Sequence, residues 1–255
     1  MSATEITLRN AIDSAFVKFS GKRWWTNKKL KYKNHSSVTG INSVPFDIAA
    51  LKKKFLSAES YVIKEKKRRY HKNNYIPTHE EIIAGTDFST WEFVISTELL
   101  GPNLFWGAMI TQVFKGDWPN TSGAKTMSIA RDLTKTIREF RNRVAHNEPL
   151  WKAYHVHTPQ DAVIYLQTKI DAIEQLIRLI SPEHHNLLTK HQLFKNARRA
   201  CTLAEIERFK MTTPINILDS MFDLYSVVER FNRDNVVGVC KLRKNSKKQF
   251  LIVPR

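Results

Sequence analysis

Apolar residues recur every three or four positions over long stretches of this chain, and that period constrains the fold more than any other feature. One such stripe follows Pro45, and it consists of Ile48, Leu51, Phe55, Ala58 and Val62. Another runs between Pro159 and Ile180 through Val163, Leu166, Ile170, Ile173 and Ile177. This spacing is typical of amphipathic α-helices. Glycine is scarce, at 8 of 255 residues, whereas a large all-β protein needs many glycines for its turns.

Further helices are predicted on both sides of these two. Residues 5–19 form a first helix with one apolar side, made of Ile6, Ile12, Phe16 and Phe19. Thr78 and Glu81 have the spacing of a capping box, and the helix that follows carries Phe88, Trp91, Ile95 and Leu99 on one side. Residues 215–231 are predicted to be helical, and a hairpin is predicted around Asn245. We therefore predict an all-α bundle with an N-terminal helical extension and a small C-terminal β-hairpin.

The charge is strongly positive and uneven along the chain. The net charge is +17, and residues 1–80 hold 17 basic residues against 6 acidic ones, whereas residues 81–160 hold 8 of each. An excess of this kind indicates a polyanionic partner, either nucleic acid or an anionic membrane surface. No apolar run approaches the roughly 20 residues that span a bilayer, and the first residues lack a signal-peptide core. We expect a cytoplasmic protein that binds nucleic acid and has no membrane segment.

No metal or cofactor site is predicted. Cys201 and Cys240 lie far apart, and no paired Cys/His spacing of a zinc site is present. Three segments are expected: a basic helical region at 1–74, a helical core at 75–182, and basic helices with the hairpin at 183–255.

The stretch REFRNRVAHNEPLW, residues 138–151, gathers cationic and amide groups at the end of a predicted helix. The buried stripe of that helix is expected to be Ile129, Leu133, Ile137, Phe140 and Val144. Arg138, Asn142 and His146 then share one ridge, and Arg141 lies on the adjacent one. On residue type alone, such a cluster is more typical of a helix C-terminus that complements the helix dipole than of a site for a phosphate ester, with which it is also compatible.

The chemistry of the second interpretation is specific. A histidine can exchange a proton near neutral pH, an arginine can bind a phosphate through two donors, and an amide can orient a substrate oxygen. RNA supplies its own nucleophile, the 2′-hydroxyl, so its cleavage needs proton transfer and charge stabilisation without a metal.

The segment RNRVAHNEPLW resembles the signature of the Abi-like (abortive infection) proteins of the HEPN superfamily, in which four to six residues separate an Arg from a His and a polar residue usually follows the Arg. Arg141, Asn142 and His146 match that pattern, and residues 76–96 resemble the family's upstream Pro-Thr turn and Phe-x-x-Trp helix. The similarity covers about residues 75–180, and residues 1–70 do not match.

The resemblance implies a HEPN-type helical bundle and metal-independent RNA cleavage that leaves a 2′,3′-cyclic phosphate and a 5′-hydroxyl. Arg141 would bind the scissile phosphate, His146 would transfer the proton, and Asn142 would orient His146 or the substrate. It also implies a homodimer with a shared active-site cleft, and a role in phage defence or as a toxin held in check by a non-coding antitoxin RNA. The same motif also occurs in proteins that bind RNA without cleaving it.

Other cations and rings are candidates for RNA contact. The candidates are Arg138, Arg143, Lys66, Lys67, Arg68, Arg69, Lys28, Lys29, Trp24 and Trp25. The run from Lys64 to Lys72 is also typical of a solvated helix face. Trp24 and Trp25 lie among lysines, so they can stack on nucleobases, or they can pack on the bundle. A DNA-binding protein remains a third alternative, although no reading helix is recognisable.

Overall fold

The computed structural model describes residues 1–33, 44–210, 213–243 and 249–254. These residues form eleven α-helices, one short 3-10 helix at Thr97–Leu99, and three β-strands. The helices are α1 Ser2–Ser20, α2 Phe46–Tyr70, α3 His79–Ala84, α4 Phe88–Val94, α5 Phe105–Val113, α6 Gly123–Ala145, α7 Pro159–Ile180, α8 Pro182–Lys190, α9 Leu193–Ala200, α10 Leu203–Phe209 and α11 Met221–Asp234. The strands are β1 Ile215–Leu218, β2 Gly238–Leu242 and β3 Gln249–Ile252. The prediction of a mostly helical chain is confirmed. No helix within the described ranges combines the length and the apolar character that crossing a membrane requires.

The chain divides into two compact units, and their boundaries differ from the three predicted segments. The first unit comprises Met1–Glu148 and Asp171–Leu187, and the second comprises Pro149–Ile170 and Leu188–Arg255. In the first unit α1 packs against α5, α2 packs against α3 and α4, and α4 packs against α6. Residues 1–74 therefore share one hydrophobic core with the helices that follow them.

The predicted stripe of α2 is confirmed, whereas that of α1 is displaced. All five apolar stripe residues of α2 are buried. In α1 the buried positions include Leu8, Ile12 and Phe16, while Ile6 and Phe19 are 47% and 39% exposed. Phe16 fixes the orientation of α1, because the centroid of its ring lies 4.5–5.2 Å from the ring centroids of Trp24, Phe105 and Trp106.

Trp24 and Trp25 belong to this core, so of the two alternatives that the sequence left open, packing on the bundle is correct and stacking on nucleobases is wrong. Trp24 is fully buried and Trp25 is 8% exposed. The Trp25 ring stacks on Phe55 at 4.3 Å with an interplanar angle of 3°. The Trp24 indole N–H donates to Oδ1 of Asp13 at 2.8 Å, which satisfies the ring's polar group. Burial of two such large rings stabilises the fold more than exposing them to solvent would.

The second unit contains a small mixed sheet with the order β1-β2-β3. β1 pairs with β2 in parallel, from Ile215 opposite Val239 to Leu218 opposite Leu242. β2 and β3 are antiparallel, which confirms the predicted hairpin strands; its turn, around Asn245, lies outside the described residues. The prediction of one helix over residues 215–231 is wrong at its start, because β1 precedes α11. The parallel pairing needs a crossover connection, and α11 supplies it.

Candidate functional site

The helix that carries the RNRVAH motif, α6, is buried in the core only along its first two-thirds. The buried residues of α6 are Thr126, Met127, Ala130, Thr134 and Ile137. Of the predicted stripe, Ile137 is buried, Ile129, Leu133 and Phe140 are half-buried, and Val144 is 39% exposed. The last two turns of α6 therefore leave the core, and the prediction that Val144 is buried is wrong.

Two arginines, seven residues apart, attach α6 to neighbouring elements. Arg131 forms a bidentate pair with the Asp47 carboxylate at 2.8 and 2.9 Å. Arg138 donates from Nε to Oε2 of Glu92 on α4 at 2.8 Å. Arg138, which the sequence suggested as an RNA contact, is thus ion-paired within the protein and positions the end of α6.

The end of α6 is capped by backbone groups. Asn147 has a φ of 55°, which places it in the left-handed region. Its N–H donates to the Val144 carbonyl at 3.2 Å, and the Glu148 N–H donates to the Arg143 carbonyl at 2.9 Å. These two bonds define a Schellman motif. Arg143 lies 3.5 Å from the Glu148 carboxylate, so it too is engaged at this turn.

The three residues of the proposed motif lie beside this cap. Arg141 and His146 are exposed and Asn142 is half-buried. The His146 backbone N–H donates to the Asn142 carbonyl at 2.9 Å, which places both residues on one side of the last turn. No hydrogen bond or ion pair formed among the described residues uses the side chain of Arg141, Asn142 or His146.

A carboxylate that sequence reasoning missed lies near Arg141. Burial raises the pKa of Glu5 on α1, and the positive charges of Arg141 and Arg9 partly offset that rise. A half-buried carboxylic acid of this kind can hold a proton more readily than an ordinary glutamate. Nothing in the local sequence links Glu5 to the motif, because the two are brought together only by packing within the first unit.

The cationic candidates divide into paired and exposed groups. Lys66 bonds the Glu81 carboxylate at 2.7 Å, and Arg69 bonds Glu65 at 3.2 Å. Lys29 donates to the Lys22 carbonyl at 2.6 Å and is half-buried. Lys28, Lys67 and Arg68 are exposed. The basic run therefore leaves some of its charges exposed, whereas Lys66 links α2 to α3.

Among the residues described here, no group of three or more His, Cys, Asp or Glu side chains could hold a metal ion. The chemical groups that the exposed end of α6 presents are a guanidinium, an amide and an imidazole. Together they can bind an anion and exchange a proton. No protein-family model, curated protein or solved structure matches the chain.

Proposed function

We propose that this protein is a metal-independent endoribonuclease of the Abi-like HEPN type, with Arg141, Asn142 and His146 as its site. The proposal includes a HEPN-type bundle within the helical core and action in the cytoplasm, in phage defence or as a toxin controlled by a non-coding RNA. The resemblance of the RNRVAHNEPLW segment suggests the family, and the geometry of α6 supplies the physical argument.

The observation that carries the proposal is that backbone groups, and not the side chains of Arg141, Asn142 and His146, cap the end of α6. A helix C-terminus needs partners for its last carbonyl groups, and backbone N–H groups of residues 146–148 provide them. The side chains of Arg141, Asn142 and His146 are therefore not needed as caps. Arg141 and His146 are exposed and Asn142 is half-buried beside the cap, so these side chains are available to bind a phosphate.

The proposed reaction is an internal transesterification. The 2′-hydroxyl oxygen attacks the adjacent phosphorus, and the bond from phosphorus to the 5′-oxygen breaks. His146 exchanges the proton that leaves the 2′-hydroxyl or arrives at the 5′-oxygen. Arg141 stabilises the charge that grows on the phosphoryl oxygens, and Asn142 orients the imidazole or the substrate. The products are a 2′,3′-cyclic phosphate and a 5′-hydroxyl.

The test is cleavage of a labelled single-stranded RNA in the presence of EDTA. Wild-type protein should cut it, and His146→Ala and Arg141→Ala should each reduce the rate by at least about 100-fold, the range for a lost proton-transfer group or charge stabiliser. His191→Ala and Arg233→Ala are matched controls, because His191 and Arg233 are exposed at other places on the chain.

Three results would overturn the proposal. Undiminished cleavage by His146→Ala would remove the assigned proton-transfer residue. Cleavage only with a divalent metal would contradict the mechanism. Salt-sensitive binding of RNA without any product, at high protein concentration and with a broad set of RNAs, would favour the non-catalytic RNA-binding alternative.

A further inference from the structure

The outer side of α2 carries a row of aromatic, cationic and small side chains. Spacings of seven, four, four, three and four residues keep the row on one side of the helix, and it consists of Phe46, Lys53, Ser57, Tyr61, Lys64 and Arg68. All six are exposed. Phe46 is 77% exposed and Tyr61 is 57% exposed, so both rings are accessible to a partner. We call this set the α2 outer row.

Two hollows run along this row and share part of their walls. The larger, of about 720 Å³, lies between α2 and the segment 85–93, and Phe46, Lys53 and Tyr61 line it. The smaller, of about 350 Å³, shares Lys53 and Tyr61 and extends to Lys64. The two hollows therefore adjoin each other along the row, and we call them together the groove of the α2 outer row. At one end, Phe93 of α4 meets Phe46 edge-on, with ring centroids 6.1 Å apart.

The charges of the groove are positive. The carboxylates of α2 lie off the outer row, and each is bonded elsewhere: Asp47 to Arg131, Glu59 to Arg23 and Glu65 to Arg69. Asp87 is the acid that lines the larger hollow, and it is bonded to Lys54 at 2.7 Å and to the hydroxyls of Ser89 and Thr90. No ion pair among the described residues involves Lys53, Lys64 or Arg68.

Rings and cations alternate along the row, in the order Phe46, Lys53, Tyr61, Lys64. The two rings are 15 residues apart, which corresponds to about 22 Å of helix. A single strand of nucleic acid presents the matching alternation of flat bases and anionic phosphates, and aromatic rings bind such strands by stacking on the bases while cations hold the backbone. Bases within a duplex are stacked on each other, so the exposed rings cannot reach their faces.

We propose that the groove along the α2 outer row binds a single strand of RNA, with bases stacked on Phe46 and Tyr61 and phosphates held by Lys53 and Lys64. The choice of RNA rests on the proposed function, and the groove lies in the same compact unit as Arg141 and His146. The rings of this row would stack on the bases, which the buried Trp24 and Trp25 cannot do.

The experiment measures the affinity of the full chain for a fluorescent, 2′-O-methylated RNA of about twelve nucleotides, which the proposed reaction cannot cleave. Tyr61→Ala and Phe46→Ala should each weaken binding about tenfold, because each removes one stacking platform. Tyr61→Phe should bind like the wild type. Lys53→Ala and Lys64→Ala should each lower the slope of log affinity against log salt by about 0.7.

Matched controls lie in other parts of the chain. Tyr225 is 70% exposed on α11, and Lys190 is exposed at the end of α8. Tyr225→Ala and Lys190→Ala should leave affinity unchanged. Binding that survives the Phe46→Ala, Tyr61→Ala double substitution would overturn the proposal, and so would equal competition by a duplex of the same sequence.

The outcome is separable from that of the proposed function. A protein that binds the strand through Tyr61 and Phe46 but never cuts RNA would support the groove and contradict the nuclease. A protein whose His146-dependent cleavage and RNA affinity are both unaffected by the α2 substitutions would support the nuclease and contradict the groove.

Discussion

Asn147 and His146 are neighbours with different tasks, and substitution separates them. Asn147 occupies the left-handed region with a φ of 55°, where a residue other than Gly, Asn or Asp is strained. We expect Asn147→Ala to lower the free energy of unfolding by about 1 kcal/mol and Asn147→Gly to leave it unchanged. His146→Ala should change it by less than about 0.5 kcal/mol, because the exposed side chain caps nothing. Urea denaturation measures all three.

The contrary result is informative at this position. If His146→Ala destabilised the protein as much as Asn147→Ala does, the imidazole would be part of the helix cap. The argument for a site at this turn would then lose its basis.

Glu5 gives a second prediction for single residues. Because burial raises its pKa, the stabilising effect of its protonated form is complete below the unfolded-state pKa and is lost as pH rises through the folded-state value. Glu5→Gln should therefore gain stability relative to the wild type as pH rises from about 4 to about 7. Thermal melts of both proteins across that range measure the difference.

Arg141 should influence that titration. Its positive charge offsets part of the rise in the Glu5 pKa, so Arg141→Ala should raise this pKa further, as carbon-13 NMR of the side-chain carboxyl would show. An unchanged titration curve in Arg141→Ala would mean that the two groups do not sense each other.

At the scale of elements, the junction of α2 and α3 depends on one carboxylate. Glu81 accepts from the Thr78 backbone N–H in a capping box, from Tyr75 and from Lys66. Lys66 first, with the Thr78 N–H and Tyr75, lowers the pKa of Glu81 to about 2. The stability that this carboxylate contributes is present above its unfolded-state pKa and is lost as pH falls toward about 2.

We expect Glu81→Gln to lower the melting temperature near neutral pH, and the difference from the wild type to shrink as the solution is acidified below about pH 4. Glu229→Gln, at an exposed position on α11, controls for the loss of one surface charge. A melting-temperature difference that stays constant down to pH 2.5 or so would contradict the assignment.

The elements also show where sequence reasoning succeeds. The α2 stripe and the limits of α7 followed from strict helical spacing, because burial of one face requires that spacing. Trp24 and Trp25 could not be assigned from their neighbours, since lysines flank them whether they stack on bases or pack against Phe55, which lies about thirty positions further along the chain. β1 was missed because only Ile215 and Ile217 alternate before α11 begins. The Ser220–Asp223 capping box at that point is a signal that could have located the helix start.

The candidate site followed the same rule. The ridge of Arg138, Asn142 and His146 was predictable from periodicity, and Asn147 followed by Pro149 is a recognisable stop signal. The exposure of Val144 was not predictable, because the same periodicity placed it in the buried stripe. The ion pair of Arg138 with Glu92, and the effect of the Arg141 charge on the pKa of Glu5, depend on packing between distant segments. Such contacts cannot be predicted from the residues that neighbour each partner in sequence.

At the scale of the whole molecule, segments of different charge that are separate in sequence come together in space. The basic residues 1–80 and the neutral segment that holds the motif belong to one compact unit. α2 packs on α4, and α4 packs on α6. A strand held along α2 would therefore be bound by the same unit that carries Arg141 and His146. For this, the cations need not lie next to the motif in sequence.

The homodimer is the remaining prediction at this scale, and it follows from the proposed chemistry. In-line cleavage removes a proton on one side of the phosphorus and delivers one on the opposite side, which a single imidazole cannot do in one step. Two copies facing each other supply two His146 side chains. Val144, 39% exposed on the last turn of α6, is the apolar residue placed to be covered in such a pair.

Val144→Glu should therefore produce a monomer in sedimentation velocity and abolish cleavage, because a charge would be buried in the interface. Leu187→Glu is the matched control, since Leu187 is 52% exposed on α8. Mixing wild type with an excess of the His146→Ala protein gives the sharper measurement. If both subunits are required, the rate falls with the square of the wild-type fraction, since only wild-type pairs are active. A linear fall, or full activity of a monomeric Val144→Glu protein, would show that one Arg141–His146 set suffices.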